Sequence, residues 1–208
     1  MRDASVTRKN ILQAAEEEFS AKGLYGTRID EIASSAGVNK RMIYEYFGNK
    51  TELYRTVLRN AYERLGEQEL SALAEDHSSM EAIRRMIRFY FDYLRENPSY
   101  VNLLLWENLN QGKYLDSGDT SSLRAPAFQA LRGIVERGQR EGVFRKEIDS
   151  EQVLISLLMY TFSHFSNRFT LPRLLGYDTE EPIMAEKAVE NLTEMILRYM
   201  CADGGQRI

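Results

Sequence analysis

Cysteine is almost missing from this chain, which carries one, Cys201, in 208 residues. A single thiol closes no internal disulfide and builds no metal cluster. Histidine is nearly as scarce: His77 and His164 are the two, and they stand far apart. No phosphate-cradling glycine loop and no nucleophile motif accompanies them, so nothing supports an enzyme, a cofactor or a metal site. Also absent is any run of about 18 apolar residues that could span a bilayer. The first ten residues, MRDASVTRKN, lack the apolar stretch of a secretory signal, so the expected location is the cytoplasm, with no membrane partner.

What is present is a chain long enough for one sizeable domain or two small ones, with an ordinary 43% hydrophobic content. Its formal charge of −4 argues globally against nucleic acid, but the distribution argues for it. Residues 1–60 carry ten Lys/Arg against eight Asp/Glu, and residues 61–208 carry seventeen against twenty-three.

Apolar residues recur at helical spacing nearly throughout, and no segment alternates at period two, so the expected fold class is all-α. Ser5 caps a first helix with Ile11, Ala15 and Phe19 inward, and Gly23 ends it. Thr27 and Asp30 open a second, two-turn helix in capping-box fashion. Ala36-Gly37 turns the chain, Asn39 caps a third short helix, and Phe47-Gly48 closes it. A longer helix from Asn49 to about Leu73 joins the two halves. Further helices start at Ser78, at Asn97-Pro98 and near Leu123, after a loop over 112–122. An eighth opens at Asp149-Ser150 and is ended by Thr170-Leu171-Pro172, and a ninth starts at Pro182. Nine helices are expected.

Gly37 to Leu53 reads GVNKRMIYEYFGNKTEL. Two short helices joined by a glycine turn make a helix-turn-helix, whose second helix enters a major groove. Lys40 and Arg41 fall in its first turn, where free N–H groups also attract phosphate. Tyr44 and Tyr46 offer hydroxyls on bodies that can lie along the backbone. Lys50 and Arg28 stand at the starts of neighbouring helices. Ile43 and Phe47 are core. The same shape also occurs in helical domains that bind no nucleic acid.

Residues 7–58, TRKNILQAAEEEFSAKGLYGTRIDEIASSAGVNKRMIYEYFGNKTELYRTVL, resemble the N-terminal DNA-binding domain of the TetR family of bacterial one-component regulators. The matching features are ILQAA..EF, G..GT, DEIA, AGV, IYEYF and NK.EL, in that order. Arg41, Met42 and Glu45 depart from the small residue, Thr and His common at those places. The resemblance implies a homodimer on a near-palindromic double-stranded DNA operator, usually as a repressor, with residues 1–48 as DNA-binding domain and 49–208 as ligand-binding and dimerisation domain. Lys40, Tyr44 and Lys50 match phosphate-contacting positions, and Arg28, Asn39 and Arg41 are base-edge candidates. Thr27 and Tyr46 complete the expected DNA-facing set. Glu45 either accepts from cytosine N4 or faces solvent.

Beyond residue 60 the resemblance is one of architecture. EQVLISLLMYTFSHFSNRF, the eighth helix, is apolar nearly all round, which one partner cannot cover. Val153, Leu157 and Phe165 from it, with Ala185, Val189, Leu192 and Ile196 at coiled-coil-like spacing in the ninth, form the expected dimer interface. For a small-molecule effector, Asn102, Trp106, Glu107 and Asn110 place polar groups among leucines. Tyr90, Tyr93, Phe128, Tyr160 and His164 could complete an apolar or aromatic cavity. Each has a structural alternative, Trp106 as core and His164 as a satisfied buried histidine. A helical interaction protein that has lost DNA binding remains a competing class.

Overall fold

Glycines and capping side chains cut the first fifty residues into three helices, as the punctuation requires. The computed structural model describes residues 4–73, 78–115, 117–179 and 181–202, without the side chains of 117–127. Among them are ten helices: α1 (Ala4–Gly26), α2 (Ile29–Ala36), α3 (Lys40–Phe47), α4 (Lys50–Leu73), α5 (Ser79–Glu96), α6 (Pro98–Leu109), α7 (Ser117–Arg140), α8 (Ser150–Ser166), α9 (Leu171–Leu175) and α10 (Pro182–Met200). No strand occurs among the described residues, only an isolated bridge between Phe144 and Cys201.

The all-α expectation holds, with one helix more than the nine expected. Pro172 ends α8 in the sequence reading, but it sits in the first turn of α9, where its missing N–H costs nothing. The loop expected over 112–122 is shorter as well, because α7 starts at Ser117. Asp116, inside that loop, lies outside the described residues.

Contacts divide the chain into two compact units. One comprises residues 1–64 and 97–123, the other 65–96 and 124–208. The first therefore extends past residue 48 and takes in α6, which comes from further along the chain.

In the first unit Ile11, Ala15 and Phe19 of α1 are buried with Ile32, Ile43, Leu53, Tyr54 and Val57. The Phe19 and Tyr54 rings meet edge to face at 5.1 Å. α6 packs against α1. Its Trp106 donates from Nε1 to the Ser20 carbonyl at 3.1 Å and lies against Gly23, whose φ of 69° and ψ of 176° break α1. At the N-terminal end of α6, Ser99 Oγ donates to Glu16 at 2.7 Å, and Arg64 grips the same carboxylate with two bonds of 2.7 and 3.1 Å.

In the second unit α5 packs against both α8 and α10. The buried face of α5 includes Ile83, Met86, Ile87, Phe91 and Leu94. Opposite it α8 buries Val153, Leu154, Leu157 and Phe165, and α10 buries Val189, Leu192, Ile196 and Leu197. Arg88 of α5 holds Glu186 of α10 through a two-pronged ion pair, which keeps the Glu186 carboxyl below its ordinary range.

Candidate functional site

The helix-turn-helix is built from local signals. α2 buries Ile29, Ile32, Ala33 and Ala36 on one side. Gly37 adopts the left-handed conformation (φ 63°, ψ 39°), and Gly37 and Val38 donate their N–H groups back to Ser34 and Ala33 at 3.1 and 3.0 Å. The Asn39 side chain then accepts from the Arg41 N–H at 2.9 Å and starts α3. Ile43 and Phe47 anchor α3 in the core. Lys40, Arg41, Tyr44 and Glu45 are exposed on its other side.

The two exposed cations of α3 have carboxylate partners. Lys40 Nζ lies 2.9 Å from Asp30 of α2, and this bond raises its pKa. Arg41 Nε lies 2.8 Å from Glu45 one turn on in α3. Glu45 thus faces solvent while bonded to its neighbour, an arrangement that sequence spacing alone allowed but did not select. Lys50 is half-buried, and burial lowers its pKa. Arg28 is exposed, and its backbone N–H donates to Glu31 at 3.2 Å. Tyr46 is half-buried with its ring tilted against Phe47. Arg8 of α1 stacks over the Phe47 ring at 5.3 Å, adding a cation that no motif announces because the two are distant in sequence.

Two DNA-facing expectations change. Thr27 is only 1% exposed, and its hydroxyl donates to the Gly23 and Glu18 carbonyls at 2.8 and 3.0 Å. It ties the α1–α2 joint together instead of presenting a donor outward, and the residue flanking α2 is Arg28. Asn39 is exposed, but its carbonyl oxygen is committed to the cap, which leaves only the amide NH₂ for any base.

The residues expected to line a pocket are divided between the two units. Trp106, Glu107, Asn102 and Asn110 belong to the first unit, whereas Tyr90, Tyr93, Phe128, Tyr160 and His164 belong to the second. Trp106 is committed to Ser20 and Gly23. Glu107, 1% exposed, accepts from the Tyr54 hydroxyl at 3.3 Å and from the Tyr114 and Leu115 N–H groups at 2.6 and 3.2 Å. Burial, with the Glu107 charge behind it, pushes the Tyr54 phenol well above its ordinary range. These side chains are structural because a buried carboxylate is tolerable only when bonded. Asn102 is half-buried, and the Asn110 N–H closes the end of α6 on Trp106.

Within the second unit the expected aromatics fall into groups, with Tyr90 and Tyr93 both against the Phe89 ring at 5.4 and 5.8 Å. Tyr90 is buried with its hydroxyl on the buried Glu69. Tyr160, His164 and Phe165 surround the Phe91 ring at 6.4, 5.4 and 5.9 Å. Tyr93 borders an open groove of about 350 Å³ with Gln68, Phe89, Arg85, Arg88 and Asp92. Phe128 lines a different groove with Arg132, Gln139 and Asp149.

The expected dimer face needs correction as well. Val153, Leu157, Phe165, Val189, Leu192 and Ile196 are buried within their own chain, and Ala185 is half-buried. The apolar side chains that α8 leaves in solvent are Ile155 and Met159, the latter 67% exposed. Those of α10 are Ile183, Met195 and Tyr199.

A helix-turn-helix with a solvent-facing basic first turn is the site of a DNA-binding regulator in many helical proteins, and comparison with known proteins narrows the class. The model for bacterial regulatory proteins of the tetR family matches residues 11–57, and that for the tetracyclin repressor-like C-terminal domain matches residues 80–196. The HTH-type transcriptional repressor NicS of Pseudomonas putida is 33% identical over 94% of this chain and 92% of its own length. The HTH-type transcriptional repressor SCO4008 of Streptomyces coelicolor is 31% identical over 76% of this chain and 77% of its own. A TetR transcriptional regulator structure from Chloroflexus aurantiacus superposes with a TM-score of 0.73 at 20% identity, covering 98% of this chain and all (100%) of that one. The chain belongs to the TetR family of bacterial transcriptional regulators.

Proposed function

We propose that this regulator is a repressor that binds a near-palindromic operator as a homodimer in the cytoplasm and is released by a small effector. The observation that carries the reading is α3 itself, where Ile43 and Phe47 are buried while Lys40, Arg41 and Tyr44 stand exposed. That division leaves the polar face free for a groove. Lys40, Tyr44 and Lys50 are assigned to phosphates, and Arg41 and Arg28 to base edges. Its similarity to two proteins named as repressors supports repression over activation.

Dimerisation is assigned to the free faces of α8 and α10, with Ile155, Met159, Met195 and Tyr199 at its centre, since exposed apolar side chains grouped on adjoining helices mark an interface. The effector is assigned to the second unit. The groove beside Tyr93 is of ligand size and combines the Phe89 ring with Arg85 and Arg88, which suits an aromatic or apolar body carrying a polar group. The DNA-binding function itself rests with residues 1–48 in this reading, and the remainder with 49–208.

Selection of binding sites from randomised duplex DNA tests the reading. An enriched inverted repeat is expected, with half-sites about 34 to 36 Å apart or a multiple of that. No enrichment, with no retardation of any duplex at low salt, would refute it.

A further inference from the structure

We propose that Glu45 sets the sequence specificity of Arg41, by holding its guanidinium in place and by penalising DNA that lacks the base Arg41 reads. The inference rests on the DNA-reading role proposed above and goes beyond it, because a carboxylate on the exposed face of a recognition helix has no evident use in binding a polyanion. A glutamate there repels phosphate, so its presence beside Arg41 needs a compensating gain.

The geometry supplies one. Arg41 is 85% exposed and Glu45 57%, and Nε of Arg41 lies 2.8 Å from the Glu45 carboxylate. The pair lies along one side of α3, whose other side is fixed by Ile43 and Phe47. With Nε occupied, the guanidinium keeps its two terminal amino groups, Nη1 and Nη2, which have no partner among the described residues. Those two groups form the end of the fork that can donate in parallel to O6 and N7 of guanine. An unrestrained arginine would instead swing to the nearest phosphate, a contact that carries no sequence information.

Charge makes the second half of the argument. Paired, Arg41 and Glu45 sum to zero, so the pair gains little from the phosphate field on an arbitrary sequence. On the right base the fork gains two hydrogen bonds without leaving Glu45, so the carboxylate stays neutralised. On a wrong base Arg41 must either stay paired and contact nothing or leave a bare carboxylate facing DNA. Glu45 thus lowers affinity for all DNA while widening the gap between right and wrong sites. It is a positioning residue for recognition and touches no base itself.

The experiment compares the protein in four forms: wild type, Glu45→Gln, Arg41→Ala and the double variant. Each undergoes site selection and titration against one fixed non-operator duplex. Glutamine keeps the length and helix propensity of glutamate and removes only the charge, so folding is preserved at this exposed position. Wild type should prefer guanine at one position of each half-site. Glu45→Gln should weaken that preference about two- to fivefold, the range expected for losing an exposed ion pair, while binding the non-operator duplex more tightly. With Arg41→Ala already present, Glu45→Gln should leave base preferences unchanged. An unaltered motif in the single variant would overturn the proposal. So would a further change of preference in the double variant, which would make Glu45 a base reader in its own right. If wild type selects no motif at all, the DNA-reading proposal fails instead, an outcome that no Glu45 substitution can mimic.

Discussion

Replacing Gly23 with alanine should destabilise the first unit more than any other single-methyl change in α1. Two costs combine. The backbone there, at φ 69° and ψ 176°, lies in a region that is essentially glycine-only, and holding another residue there costs about 1 to 3 kcal/mol. A Cβ would also stand 2.8 Å from Cδ2 and Cε3 of Trp106 and 3.1 Å from Cε2. An indole held by its own hydrogen bond to Ser20 yields poorly, so overpacking adds about 1 to 3 kcal/mol more. The sum, about 2 to 6 kcal/mol, is a large part of the 5 to 15 or so that holds a typical domain. Urea unfolding followed by far-ultraviolet circular dichroism would measure it. Trp106→Leu, made alone and with Gly23→Ala, separates the two parts, because shortening the ring should relieve the clash and leave the backbone strain. A loss under about 0.5 kcal/mol for Gly23→Ala would refute the close approach of α1 and α6. Equal losses with and without Trp106 would place all the cost in the backbone.

Further substitutions probe the remaining assignments. Arg41→Ala should cost about 1 to 3 kcal/mol of operator affinity and relax one base position per half-site, whereas Lys50→Ala should weaken all sequences alike and flatten the salt slope by about one unit, both read by titration at several salt concentrations. Met159→Glu with Met195→Glu should give a folded monomer by light scattering, while Val153→Glu should fail to fold, because only the first two side chains are free of their own core. Arg88 holds the Glu186 carboxyl below its ordinary 4.5, so the pair contributes above that value and its contribution is lost as pH falls through the lowered one. Acid titration of stability from about pH 5 downward should therefore be shallower in Arg88→Ala, by less than about 1 kcal/mol since both groups are near half exposed.

Capping residues made the N-terminal helices legible. Asn39 and Gly37 act through neighbours within four residues, and such signals survive in a bare sequence. α2 starts one residue later than its hydroxyl signal suggests, since the Thr27 hydroxyl donates to the Gly23 and Glu18 carbonyls and Arg28 stands at the cap. Pro172 is ambiguous for a related reason: proline marks both the end of one helix and the first turn of another. The face of α8 could not be chosen at all by periodicity, because apolar residues surround the helix, and only the packing of α5 selects Val153 and Leu157 for the inside. Trp106 and Glu107 looked like ligand-orienting groups on α6. Their partners Ser20, Tyr54 and Tyr114 come from three other segments, a convergence that no local pattern encodes.

The joint of α1, α4 and α6 bears on how such regulators are recombined. A chimera made by exchanging residues 1–48 for those of a relative would cut through shared side chains. The incoming α1 would meet a resident Trp106 that needs glycine opposite it, and a resident Arg64 and Ser99 that both require a carboxylate at position 16. The transferable piece is discontinuous: residues 1–64 must travel with 97–123, the segment that closes the same unit. Operator specificity can then be transplanted only as two stretches of gene, and a single crossover near the end of α3 would yield a protein whose reading head has lost its own keystone.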